Sequence, residues 1–144
     1  MLKGLKALLG GGTNRITGRT DILEAVCASA ALVAAADGDI SDTEVAAALQ
    51  VVSNNEALSG AFDARTIEVT MDKMLKRAGG GFSGRAGLQK EINDVAAKGG
   101  EDCELVYLIA LDVAYADGEV GDKERAKLNE IAKWLKVDPK KWEG

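Results

Sequence analysis

Apolar positions along this chain recur mostly at intervals of three and four, so the pattern predicts helices rather than strands. Helices are expected at about residues 2–9, 21–36, 42–53, 62–78, 85–98, 102–116 and 122–135. A last turn follows Asp138 and Pro139, a cap and a first-turn proline. The breaks carry their own signals: the linker GGGTNRITGR after the first helix, glycines at 79–81, and Gly99 with Gly100 placed as helix stops. The expected architecture is all-α, a single domain over 1–144 with about seven helices, residues 1–19 forming a short N-terminal helix and linker. The longest apolar run, Ile22 to Ala36, is interrupted by Glu24 and falls short of the roughly 18–20 residues that a membrane crossing needs. Its alanines and serines suit close helix packing.

Two of the connections are nearly the same. AAADGDISDTE at residues 34–44 returns as AYADGEVGDKE at residues 114–124. Asp37, Gly38, Asp42 and Glu44 fall on Asp117, Gly118, Asp122 and Glu124, while Asp39 meets Glu119. Each copy joins two helices, so the chain reads as two pseudo-symmetric halves of helix, acidic turn and helix.

Helix-end chemistry accounts for much of the first copy. Gly38 can take a left-handed conformation to close one helix. Ser41 with Glu44 three positions on makes a capping box, and Ile40 with Val45 a hydrophobic staple. The second copy has Gly121 for the capping serine and Arg125 for the staple valine, yet all four acids remain. Asp37 and Asp117 also sit at the negative ends of the preceding helices, where a carboxylate is unfavourable unless something positive is near. A hard divalent cation such as calcium would supply that charge. The candidate metal residues are therefore Asp37, Asp39, Asp42, Glu44, Asp117, Glu119, Asp122 and Glu124. The spacing is not that of an EF-hand loop, whose glycine is sixth and glutamate twelfth; here they are second and eighth. Capped turns on a solvated face and a cation site both remain open at this point.

Charge and composition narrow the function classes. A net charge of −5 argues against nucleic acid as a partner. It points instead to cations or basic protein faces. Histidine is absent, which removes the usual general base near neutral pH and the commonest zinc ligand. No catalytic residue is assigned and no enzyme is expected. Cys27 and Cys103 lie in apolar runs without a CxxC motif, so both read as buried thiols of a cytoplasmic protein.

Asp-Gly, a variable residue, a hydrophobe, a capping residue, two more and Glu, given twice after small-residue helices, resembles the TerB family of tellurium-resistance proteins. The likeness extends to MLKGLKALL at the start, SNNEALSGAFDARTIEVTMDKML in the middle and LNEIAKWLKVDPKKW at the end. It implies an all-helical domain with internal twofold symmetry and a noncatalytic, cytoplasmic role in tellurite or metal stress. It also implies partners of the TerC and TerD type, and a metal site on the acidic turns already named. Phage genomes carry relatives too, so the alternative is a virion-associated or complex-associated interaction protein using the same fold without metal or tellurite.

Three further features of the sequence bear on binding. GGGFSGRAG, with Arg77 and Arg85 beside it, could cradle an anion at the start of the fifth helix, although it lacks the GK[ST] of a phosphate loop, and a flexible loop is the expectation. Tyr107, Trp134 and Trp142 read as core and C-terminal packing residues, with an exposed Trp142 as partner anchor the alternative. Leu2, Leu5, Leu8 and Leu9 make an apolar stripe opposite Lys3 and Lys6, expected to pack on the body, with weak peripheral membrane contact as the alternative.

Overall fold

In a computed structural model of the protein, residues 16–116 and 118–143 are described. The expected helix at residues 2–9 lies outside them, as does Asp117. Every regular element among the described residues is a helix: α1 (Thr20–Ala34), α2 (Asp42–Asn54), α3 (Glu56–Ala61), α4 (Ala64–Ala78), α5 (Gly81–Lys98), α6 (Glu101–Ala114), α7 (Asp122–Leu135) and α8 (Lys140–Glu143). The all-α expectation holds.

Helix α1 is the axis of the bundle. Apart from Glu24 it is buried from Ile22 to Ala34, and it packs against α2, α4, α5, α6 and α7. A helix that is apolar all round must be enclosed. The small side chains Ala25, Cys27, Ala28, Ser29, Ala30 and Ala31 let several neighbours come close at once. Around it, α4 gives Ile67, Met71 and Met74 to the core, α5 gives Leu88, Ile92 and Val95, and α7 gives Leu128, Ile131 and Leu135. Tyr107 of α6 is fully buried.

Two boundaries differ from the sequence reading. A six-residue helix, α3, stands where no element was expected; the Asn55 side chain caps it by accepting from the Leu58 N–H at 3.2 Å. Helix α5 starts at Gly81 rather than Arg85, so most of the glycine-rich stretch is helical and only Gly79 and Gly80 form the turn. Gly84 makes this possible, because its Cα side faces the Arg77 carbonyl of α4 and an added Cβ would lie 2.1 Å from that oxygen. The two helices meet at backbone contact.

Ion pairs tie the end of the bundle where α1 begins. Asp21 accepts from Arg19 at 3.0 Å and from Lys98 of α5 at 2.8 Å, and Arg19 also approaches Asp102 of α6 at 3.5 Å. At the far end of the chain the Trp142 indole donates to the Glu104 carboxylate of α6, and Lys141 pairs with the same group at 3.0 Å. These contacts bear out the packing role expected of Trp142, and Cys27 and Cys103 are buried as expected.

Candidate functional site

The repeat seen in the sequence is a repeat of backbone geometry. After α1, the Ala35, Ala36 and Gly38 N–H groups donate to Ala31, Val33 and Ala35; after α6, Tyr115, Ala116 and Gly118 donate to Leu111, Val113 and Tyr115. Gly38 has φ +97° and Gly118 φ +91°, the left-handed region that favours glycine. Ser41 and Gly121 then take the same extended conformation, φ/ψ −81/159° and −72/166°, before α2 and α7 begin.

One glutamate of each turn, Glu44 and Glu124, caps the helix that follows. The Ser41 hydroxyl accepts from the Glu44 N–H at 3.1 Å, while Glu44 Oε1 accepts from the Ser41 hydroxyl at 3.0 Å and more weakly from its N–H, completing the expected capping box. In the second turn Gly121 has no hydroxyl, so only the return half forms: Glu124 Oε1 accepts from the Gly121 N–H at 3.1 Å. Asp37 Oδ1 accepts from the Asp39 N–H at 3.2 Å across its own turn. In each of these three carboxylates a single oxygen accepts.

The turns meet across one cleft of about 460 Å³. Asp37 and Glu44 from the first turn and Glu124 from the second line it, with Thr43 beside them. Its apolar wall is built from both halves at matching positions: Val33 and Ala34 from the end of α1, Val113 and Ala114 from the end of α6. Helix α6 packs on α2, and α1 on α7, so each half closes over the other's turn. A neighbouring hollow of about 560 Å³ shares Ala47 and Ala116 with the cleft and extends it along α2. Asp112 lines this extension, and desolvation holds its carboxyl above the ordinary value.

Of the eight acidic residues singled out in the sequence, Asp37, Glu44 and Glu124 are thus brought to one place. Asp39, Asp42, Glu119 and Asp122 are exposed and lie outside the cleft lining. Asp117 lies outside the described residues. Oxygen donors of this kind suit a hard cation. Among the described residues, however, no three acidic side chains converge closely enough to be a ready ligand set. The cleft is a negatively lined hollow rather than a formed coordination sphere.

Sequence reasoning did not anticipate the apolar wall. The signal available was the small-residue ending shared by α1 and α6, whose alanines leave room where larger side chains would have filled it.

Among the described residues no helix is long and apolar enough to cross a membrane. A protein-family model described as Tellurite resistance protein TerB matches residues 23–144, which include both turns and all of the cleft. No curated protein and no solved structure matches the chain.

Proposed function

The chain belongs to the TerB family of tellurite resistance proteins, and on that premise we propose that it is a noncatalytic module of the tellurite and metal-stress response. In this reading it acts in the cytoplasm, collecting divalent cations or the basic surface of a partner protein in the cleft between its acidic turns. The observation that carries the reading is that Asp37 of the first turn and Glu124 of the second line one cleft. Helix capping accounts for a side-chain oxygen at each turn; it does not require the two turns to share a hollow. A hard cation such as calcium would be drawn to these oxygens. Since the side chains do not converge as they stand, the binding expected is weak and sensitive to salt. Proteins of the TerC and TerD type are the partners in this reading.

A noncatalytic role fits the chemistry of the walls. The cleft offers carboxylates and one hydroxyl, that of Thr43, and the chain has no histidine to activate it.

Isothermal titration of the full chain with calcium, magnesium, manganese and zinc tests the cation part, with Asp37→Asn combined with Glu124→Gln as the comparison. Binding by the wild type that is lost in the double variant is expected. Absence of binding to the wild type, or equal binding by both, removes cations from the reading.

A further inference from the structure

Phe82, in the first turn of α5, is 88 % exposed, more than any other large apolar side chain among the described residues. Its exposure follows from its register. The inward face of α5 carries Gly84, Leu88, Ile92 and Val95, and Phe82 falls off that face. A single exposed ring is ordinary on a protein surface; what sets this one apart is the charge beside it.

Its surroundings define the partner. From Lys73 to Lys90 the chain has five cations and no acidic residue, within a protein of net charge −5. Lys73, Lys76, Arg77 and Lys90 are each paired with a carboxylate. Arg85 makes no ion pair among the described residues; its guanidinium sits 5.0 Å from the centre of the Phe82 ring, within the range of about 6 Å for a cation–π contact. The tip of the α4–α5 hairpin is therefore an apolar ring carrying an uncommitted positive charge.

The molecule presents the complement elsewhere. The cleft between the acidic turns has an apolar wall of Val33, Ala34, Val113 and Ala114 beside the carboxylates of Asp37, Glu44 and Glu124. Phe82 does not line the cleft of its own chain, so such a contact can form only between copies.

We propose that the Phe82–Arg85 tip of one copy inserts into the acidic cleft of a second copy, the ring against the apolar wall and the guanidinium against the carboxylates. The contact is heterologous, tip to cleft, and leaves a free tip and a free cleft at the ends, so it propagates as an open chain. One ring and one guanidinium bury far less than a standard interface of about 1,600 Å², so the association is weak, reversible and weakened by salt. A lipid surface is the lesser fit, because a net negative protein is repelled by an anionic bilayer. The proposal names the partner of the cleft put forward above as a binding site and rests on that assignment.

Sedimentation equilibrium of the full chain at low and high salt tests it, with a tip variant (Phe82→Ala with Arg85→Glu) and a cleft variant (Glu44→Gln with Glu124→Gln). Glutamine at both cleft positions keeps a capping oxygen, and the tip residues are exposed; circular dichroism confirms the helices of each. The expected result is a wild-type mass that rises with concentration at low salt and falls back with added salt. Each variant alone stays monomeric, and an equimolar mixture of the two gives a one-to-one dimer that grows no further. A wild type that is monomeric throughout, a tip variant that associates like the wild type, or a mixture that stays monomeric overturns the proposal. Cosedimentation with phosphatidylglycerol vesicles, abolished in the tip variant, also overturns it if the wild type does not self-associate. Calcium titration of the tip variant separates the two readings. Calcium binding without wild-type association leaves the cation reading and removes this one, and association without calcium binding does the reverse.

Discussion

Glu44 and Glu124 stand 80 positions apart in the chain and line the same cleft, each with one carboxylate oxygen turned back to cap its own helix. The same side chain thus serves the fold locally and gives the cleft its charge.

The two caps differ in one hydroxyl. Ser41→Ala removes the acceptor for the Glu44 N–H and is expected to cost about 1 kcal/mol, the usual worth of an N-cap side chain. Gly121→Ser should do the opposite. Gly121 already has the extended conformation of Ser41, and the nearest atom to a new Cβ is Glu124 Oε1 at 3.5 Å, an ordinary contact. A gain of a few tenths of a kcal/mol is expected. Urea denaturation of both variants checks this; a Gly121→Ser variant less stable than wild type would show that the second turn is not the geometric equal of the first.

Two glycines of α5 should respond with opposite signs. Gly84→Ala places a methyl 2.1 Å from the Arg77 carbonyl oxygen, a backbone atom that cannot swing aside, so α4 and α5 must separate at a cost of about 1–3 kcal/mol. Gly87 has no atom within 4 Å of a built Cβ, and Gly87→Ala is expected to stabilise by about 0.5–1 kcal/mol through the lower freedom of the unfolded chain. Thermal melts of the pair decide it. Equal effects would mean that the crossing at Gly84 is not a close one.

Asp21 links stability to acid. Hydrogen bonds from Arg19, then from Lys98, hold its carboxyl well below the usual carboxylate range. The folded state therefore binds this proton more weakly than the unfolded chain, whose aspartate titrates near pH ~3.9. The stabilisation is whole above that pH and is lost as pH falls towards the folded value. Asp21→Asn is expected to lower stability at pH 7 by about 0.5–1 kcal/mol, the scale of a pair partly screened by solvent, and to flatten the acid limb of Tm against pH. An acid limb unchanged in the variant would assign the linkage to other carboxylates.

How much of this was legible in the sequence follows from the range of each interaction. The turn at 37–44 was readable in detail because its causes are local: a glycine with positive φ, a serine and a glutamate three positions apart. Helix α3 was missed because six residues are too few to show a period, and its one signal was Asn55 as cap. The start of α5 was misplaced because glycines at 81, 84 and 87 speak against a helix on propensity alone. Packing on α4 overrides that preference, and Gly84 is the residue it needs. Both acidic motifs could be found by inspection, but that they face each other depends on α6 crossing α2 and α1 crossing α7, contacts between residues far apart in the chain. The exposure of Phe82 is likewise a tertiary fact.

Replacing Glu44 and Glu124 together by glutamine asks which of their two roles keeps them acidic. Glutamine can return the same capping oxygen to Ser41 and Gly121, so local structure survives while both charges leave the cleft. If caps were the whole reason, glutamate would still be somewhat preferred, since a negative charge near a helix N-terminus is worth about 0.3–1 kcal/mol. Against that stands the mutual repulsion of carboxylates lining one hollow, which the substitution relieves. The two effects oppose each other, and in cation-free buffer the double variant is expected to stay within about 0.5 kcal/mol of wild type. Added calcium should then divide them: the wild-type Tm rises with concentration as binding to the folded state requires, while the variant's Tm does not move. A variant that is clearly destabilised without cations and equally responsive with them would leave the acids explained by helix ends alone, and the cleft would lose its role as a cation site.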